Sequence, residues 1–206
     1  MIINQCIVKF SMSEIKNINY HEPTLAIGTW RNIYLKFLNE LSINSICEIG
    51  SGHPIFLERV KAKKKLGIDY GDDFKDLYEN KNIRFQNLDL DNDELNGIGE
   101  KFDAVVCTDV FEHLLKPDKT LNFCKEILSP DGLFFSHVPN EFNFRRLLKV
   151  MFLNKQSVFF HSQNEQNNPH LRSFTNIGYK KFLKQKFEFN LYISDMNYSG
   201  LKKLIN

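Results

Sequence analysis

The stretch Ser45-Ile46-Cys47-Glu48-Ile49-Gly50-Ser51-Gly52-His53-Pro54 leaves the chain few folds to choose from. A short apolar run ends in an acid, two glycines follow, and apolar positions resume at helical spacing in Ile55, Phe56, Leu57 and Val60. That order reads as a buried strand, a tight turn and a helix. Glycine suits the turn because a Cβ there would bar positive φ and keep a ligand off the backbone. Pro54 suits a first helical position, where its missing N–H removes no bond.

Glu48 narrows what can approach. Dinucleotide-binding turns leave their amides and helix N-terminus free for pyrophosphate, and an acid beside the turn opposes that. A ligand with a cationic or hydroxyl-rich part is favoured instead. A bare Gly-x-Gly would be an ordinary strand-to-helix turn, so the remaining motifs decide.

With 206 residues, 42% hydrophobic content and 19 Phe, the chain can bury one substantial core, and a single domain over residues 1–206 is expected. A formal charge of +2 supplies no strong field for nucleic acid or an anionic membrane. The lysines of residues 61–65 are expected to form a solvated face of the helix after the glycine turn. Cys6, Cys47, Cys107 and Cys124 form no close pair and read as reduced core residues, not as a disulfide framework or zinc site. There is no basic region followed by a long apolar run, and no stretch approaches the roughly 18 apolar residues that span a bilayer. A cytoplasmic protein is the expectation.

Taken in order, residues 1–23 are weakly patterned, with a short strand expected at 7–10. Over residues 24–41, Ile27, Trp30, Ile33, Tyr34, Phe37, Leu38 and Leu41 recur at threes and fours and predict an amphipathic helix. Residues 65–70 predict a second strand ending in Asp69-Tyr70, about 20 residues after the glycine turn, where an acid can accept hydrogen bonds from ribose hydroxyls. Residues 82–90 predict a third strand with Asp89 at its end. Asp89 could accept a bond from an exocyclic amine while Leu90 packs near the ring.

Residues 101–114 have the apolar centre of a buried parallel strand and a polar carboxyl end holding Cys107, Thr108, Asp109, Glu112 and His113. Ligands of open α/β sheets bind outside such ends. Leu121, Cys124, Ile127 and Leu128 mark a helix that stops at the turn signal Ser129-Pro130-Asp131-Gly132, before a strand at 133–138. Residues 141–160 are rich in Phe and Leu, and a helix at 177–183 precedes a last strand at 187–193. Strands alternate with helices throughout, which predicts an α/β fold with a mostly parallel sheet.

Glu48-x-Gly50-x-Gly52, Asp69, Asp89 and the run from Phe102-Asp103 to Glu112-His113-Leu114 stand in one order. With Ser129-Pro130-Asp131-Gly132 and Val138-Pro139-Asn140, they resemble the class I S-adenosylmethionine (SAM)-dependent methyltransferases over about residues 45–140, of the bacterial small-molecule type. The resemblance implies a Rossmann-like open, mostly parallel sheet with helices on both faces. Residues 1–44 would form an arm and helix, 45–140 the SAM-binding core, 141–175 a lid or acceptor-site insertion, and 176–206 a C-terminal helix and strand.

The same resemblance puts Glu48 near the methionine amino group and Gly50, Ser51 and Gly52 beneath the cofactor. It puts Asp69 and Tyr70 at the ribose, Asp89 and Leu90 at adenine, and Cys107, Thr108 and Asp109 along the methionine side. SAM is the implied cofactor and S-adenosylhomocysteine the product. Pro54 replaces a frequent third glycine, Asp131-Gly132 replaces Gly-Gly, and Lys186-Phe187 replaces Gly-Phe. Only residues 198–205 remain for a seventh strand, so the C-terminal sheet edge is expected to be incomplete or completed by a partner.

The expected function is methyl transfer to a small-molecule hydroxyl of a sugar, surface-glycan precursor or lipid-linked metabolite, with His113 as base and Glu112 as its orienter. Asp109, Glu112, His113 and His170 also resemble the segments that hold a divalent metal in small-RNA 3′-terminal 2′-O-methyltransferases. Asp109 replaces the usual Glu there and no basic RNA-binding surface is evident, so no metal ligand is assigned and nucleic acid is not the expected partner, and a metal-dependent RNA 3′-terminal 2′-O-methyltransferase with a divalent ion at these four residues stands as an alternative. Residues 141–160 fit a lid, a homodimer contact or a shallow membrane contact. A methyltransferase-like scaffold without activity is the remaining alternative, and the intact Glu48, Gly50, Gly52, Asp69 and Asp89 argue against it.

Overall fold

The computed structural model describes residues 29–96, 98–139 and 170–188. The arm, the 141–160 segment and nearly all of the strands expected at 187–193 and 198–205 lie outside the described residues. Five parallel strands form one open sheet in the order β3-β2-β1-β4-β5: β1 Ser45–Ile49, β2 Lys64–Asp69, β3 Arg84–Asn87, β4 Phe102–Thr108 and β5 Leu128–His137. The helices are α1 Thr29–Glu40, α2 Ile55–Arg59, α3 Lys75–Glu79, α4 Pro117–Ile127 and α5 Asn176–Leu183. This is the expected Rossmann-like arrangement.

Strand periodicity divides the core in two. Ile46, Ala104 and Val106 face Leu38 of α1, Phe56 and Leu57 of α2 and Tyr78 of α3. Cys47, Ile49, Val105 and Cys107 face Leu121, Cys124 and Ile127 of α4 and Tyr179 and Leu183 of α5. Central strands covered on both sides are buried at nearly every position, as β1 and β4 are. Cys47, Cys107 and Cys124 are free and buried in this core. Among the described residues no helix is long and apolar enough to cross a membrane.

The sheet reverses direction of growth between β1 and β4, since β2 and β3 lie on one side and β5 on the other. A crevice at that reversal, outside the carboxyl ends, is where such sheets bind ligands. Gly67 of β2 lets α3 close on this half of the sheet. A Cβ built on it would lie 2.4 Å from Cε1 of Tyr78, so the tyrosine ring rests where any other side chain would stand.

Three local expectations are corrected. Ser129-Pro130-Asp131-Gly132 is not a turn ahead of the strand. Strand β5 starts at Leu128, directly after α4, and the register moves from Phe102↔Leu128 to Ala104↔Leu133, so the extra residues are taken up as a bulge. Helix α2 ends at Arg59, and Lys64 and Lys65 open β2, where Lys64 pairs with Glu100. Leu41 lies beyond the end of α1 and is exposed.

Candidate functional site

The turn after β1 is left-handed at both glycines, with φ of 64° at Gly50 and 51° at Gly52. Ser51 between them is buried, and its N–H donates to the Ile68 carbonyl at 3.0 Å, tying the turn to β2. Among the described residues a Cβ on Gly52 would meet only Asp69 Oδ2, at 4.0 Å, and they leave that face of the turn open.

Glu48 sits under this turn, with none of its surface exposed. Among the described residues neither carboxylate oxygen accepts a hydrogen bond. Among the described residues it pairs with Arg31 of α1, Nη2 to Oε1 at 3.5 Å. Burial pushes the carboxyl up to about 8, which Arg31 partly offsets and the nearby Asp69 charge reinforces. A carboxylate buried with so little compensation is costly unless a cation and donors complete it.

Asp69, at the end of β2, accepts from the Gly52 N–H at 2.5 Å through Oδ2 and from the Tyr70 N–H at 2.7 Å through Oδ1. Each oxygen keeps a lone pair for another donor. Tyr70 is the most exposed aromatic of this edge, at 75%. Because Asp69 holds both the glycine turn and its own loop, Asp69→Ala is expected to lower the unfolding free energy by roughly 1–3 kcal/mol in urea titrations. Asp69→Asn, which keeps one acceptor oxygen, should lose less.

Asp89, after β3, is turned into its own loop. It accepts from the Asp91 and Asn92 N–H groups at 2.9 and 3.1 Å and from the Asn92 side-chain amide at 2.9 Å. The Asn92 amide leads in holding its carboxyl below the ordinary carboxylate range. Leu90 is buried in the core beside it. Sheet order stands Glu48, Asp69 and Asp89 at successive carboxyl ends, with the Asp89 side chain engaged by Asp91 and Asn92 of its own loop.

Cys107 and Thr108 close β4 and are buried. Asp109 follows with φ of 56°, a conformation that a short polar side chain tolerates best. Its N–H donates to the His137 carbonyl at 3.0 Å and its Oδ1 lies 2.7 Å from His137 Nδ1, a double tie between the ends of β4 and β5. Next to it, Ser136 Oγ bonds to the Tyr179 hydroxyl and the Ser136 carbonyl accepts from the Tyr34 hydroxyl at 2.9 Å. Burial raises both tyrosine hydroxyls well above their ordinary values, so they stay protonated.

Glu112 and His113 stand a few residues on, and the chain returns to them at His170. The Leu171 and Arg172 N–H groups donate to the Glu112 carbonyl at 2.7 and 3.2 Å, and Arg172 Nη2 donates to the Leu115 carbonyl at 3.1 Å. One ligand-type atom each of Glu112, His113 and His170 lies within 4.8 Å of the others, and the two imidazoles meet edge to face at 4.7 Å. Glu112 is 2% exposed.

Sequence reasoning passed over Arg31, Tyr34 as a hydrogen-bond donor, Ser136, His137 and Tyr179. His137 ends a strand at the carboxyl edge, a position that by itself marks a candidate. Arg31 carries no such signal, since it is one polar residue on an amphipathic helix.

A family profile described as methyltransferase domain matches residues 26–191. No curated protein matches the chain by sequence. Among solved structures, the YcgJ protein of Bacillus subtilis has a TM-score of 0.54 at 16% identity, covering 76% of this chain and 66% of that one. A SAM-dependent methyltransferase of Thermotoga maritima has a TM-score of 0.51 at 17% identity, covering 74% and 70%. One from Clostridium acetobutylicum has a TM-score of 0.48 at 18% identity and covers 58% of this chain, which spans 53% of that relative's length.

Proposed function

The chain belongs to the class I SAM-dependent methyltransferases, and from that premise we propose that it methylates a hydroxyl of a small molecule: a sugar, a surface-glycan precursor or a lipid-linked metabolite. One observation carries the cofactor half of the reading. Glu48 is wholly buried at the reversal point of the sheet, without a hydrogen-bond donor among the described residues, beside a glycine turn with an open face. Such a carboxylate suits a ligand that brings its own ammonium group. The acceptor half is supported by the near-neutral charge of +2, which offers little attraction to a polyanion.

When bound, SAM supplies an electrophilic methyl on a sulfonium. The chain's residues have to hold and orient the partners. Glu48 takes the ammonium, the Gly50-Ser51-Gly52 backbone lies beneath the chain of the cofactor, and the remaining lone pairs of Asp69 accept from the ribose hydroxyls. Tyr70 stands beside Asp69 at the ribose, Asp89 and Leu90 border the adenine, and Cys107, Thr108 and Asp109 the methionine side. His113 accepts the acceptor's hydroxyl proton, with Glu112 orienting it.

The test is transfer of labelled methyl from SAM to a panel of hydroxylated small molecules, with calorimetry of S-adenosylhomocysteine alongside. His113→Ala is expected to lower kcat by about 10²–10⁴-fold while leaving binding of S-adenosylhomocysteine intact. Unchanged turnover in that variant would move the base elsewhere, first to His137, which Asp109 orients through its ring nitrogen. No binding of either cofactor form by the pure protein would favour the non-catalytic scaffold.

A second reading draws on the convergence of Glu112, His113 and His170 within 4.8 Å. One carboxylate and two imidazoles suit a first-row divalent ion, which would offer open positions to neighbouring oxygens of an acceptor such as an RNA 3′ end. Under it, Mn²⁺ or Co²⁺ titrated into the protein binds at one equivalent and is lost in His170→Ala. Methyl transfer indifferent to a chelator, with no metal bound, removes this reading and keeps the first.

A further inference from the structure

Three non-glycine residues among those described have a left-handed backbone: Ser42, Asn82 and Asp109. Ser42 and Asn82 lie just past the ends of α1 and α3, where that conformation is an ordinary way for a helix to stop. Asp109 instead follows a strand, β4, with φ of 56°. A left-handed residue that carries a Cβ is unfavourable and persists where its surroundings fix it, as they commonly do at ligand sites. What fixes Asp109 is His137. The register pairs Thr108 with His137, so the two strands end level; the Asp109 N–H donates to the His137 carbonyl at 3.0 Å, and Asp109 Oδ1 lies 2.7 Å from His137 Nδ1.

The Asp109 side chain is 51% exposed and that of His137 18%, so the carboxylate is the outer member of the pair. A pair so exposed contributes little to folding. Glycine would make the same turn without strain and keep the backbone tie, so the side chain answers to something other than the fold. It stands at the carboxyl edge of the sheet, where ligands of such folds sit. Asp109 directly follows Thr108 and opens the loop of Glu112 and His113, which the His113 N–H folds into a turn by donating to the Val110 carbonyl at 2.9 Å. With Oδ1 engaged by His137, Oδ2 accepts from no donor among the described residues and keeps its lone pairs for one. An ionised carboxylate can only accept hydrogen bonds, so its ligand has to bring an O–H or N–H.

We propose that Asp109 binds a second hydroxyl of the methyl acceptor, adjacent to the one that His113 deprotonates, and that His137 is the positioning residue that holds the carboxylate for it. The substrate is then a vicinal diol, as on a sugar ring, and a simple alcohol is a poor one. The inference rests on the small-molecule reading above and narrows its substrate class to polyols.

The test is labelled-methyl transfer from SAM to a set of hexose and pentose methyl glycosides, to the monodeoxy forms of the best of them and to cyclohexanol. Removing the hydroxyl that flanks the methylated one is expected to lower kcat/KM about 10- to 100-fold in the parent, mainly through KM. In Asp109→Gly the same removal should cost no more than about twofold, because the partner is already gone. Glycine suits the left-handed backbone, so this variant should melt no lower than the parent. His137→Asn, whose amide can still donate to Asp109, should keep the preference for the diol, and His137→Ala should lose most of it. An equal effect of the missing hydroxyl in parent and Asp109→Gly, a parent that methylates cyclohexanol as well as the glycosides, or a lower Tm in Asp109→Gly with the preference intact would overturn the inference and leave methyl transfer to a hydroxyl standing. No transfer to any of these compounds by a protein that binds S-adenosylhomocysteine refutes the inference and the hydroxyl reading together, and keeps the cofactor.

Discussion

Glu48→Gln is expected to melt at a higher temperature than the parent at pH 9 and to bind S-adenosylhomocysteine about 10²-fold more weakly. Both effects follow from one buried carboxyl. In the ligand-free fold it is held up to about 8, with burial the leading cause, Arg31 opposing and Asp69 adding to it. In the unfolded chain a glutamate loses its proton near 4.3. Between these values the folded protein retains a proton that the unfolded chain has released, so stability is greatest below the lower value and declines as pH rises towards 8. Above 8 the decline stops.

The slope approaches 1.4 kcal/mol per pH unit for one proton, or about 3–5 °C in Tm for a chain of this size. Glutamine keeps the shape and has no proton to lose, so its Tm should be flat where the parent's falls. Arg31, part-exposed, can be hydrated when its partner becomes neutral. The same substitution removes the charge that an ammonium group needs. Melting curves of both proteins from pH 5 to 9, with titrations of S-adenosylhomocysteine, check the pair of effects. A constant Tm difference across that range, or full ligand affinity in the variant, would refute the role given to Glu48.

The second large effect is on folding. Gly50→Ala is expected to lower the unfolding free energy by about 2–5 kcal/mol, from a left-handed backbone penalty of roughly 1–2 and an overpacking penalty of roughly 1–3. The backbone there has φ of 64°, and an added Cβ would lie 2.2 Å from Cγ2 of Val110, which is itself buried. The two contributions separate in a double mutant. Val110→Ala removes the obstructing methyl, so Gly50→Ala made in that background should cost less by the overpacking part and retain the backbone part. Urea unfolding of the four proteins measures this. A Gly50→Ala protein as stable as the parent would mean that the turn does not have the geometry described.

The two positions differ in how far they could be read from the sequence. Gly50 was legible because its reason is local: a strand had to end, a helix had to begin, and the turn between them demanded positive φ. Asp69 was legible by spacing, since the second strand of a βαβ unit ends about 20 residues after the first turn. The parallel run of β4 and the apolar face of α4 announced themselves by period. Asp89 was legible as an acid at a strand end, but its engagement with Asp91 and Asn92 is a feature of loop conformation that strand-end position does not convey.

Other parts of the site could not be read in this way. Tyr34 looked like one more apolar position of an amphipathic helix, and its hydroxyl instead donates to a carbonyl of β5. The pairing of Asp109 with His137 depends on β4 and β5 ending level with each other. The approach of His170 to Glu112 and His113 depends on a backbone return more than fifty residues later, fixed by the Leu171 and Arg172 amides.

By itself the sequence determined the order of strands and helices, the glycine turn and the identity of the acids at strand ends, because periodicity and φ preference act over a few neighbouring residues. Only the tertiary structure decided that Arg31 faces Glu48 and that Glu48 is cut off from water. Desolvation and ion pairing are set by what surrounds a charge, and here the surroundings are assembled from α1, β1, β2 and β4, elements that no local rule brings together.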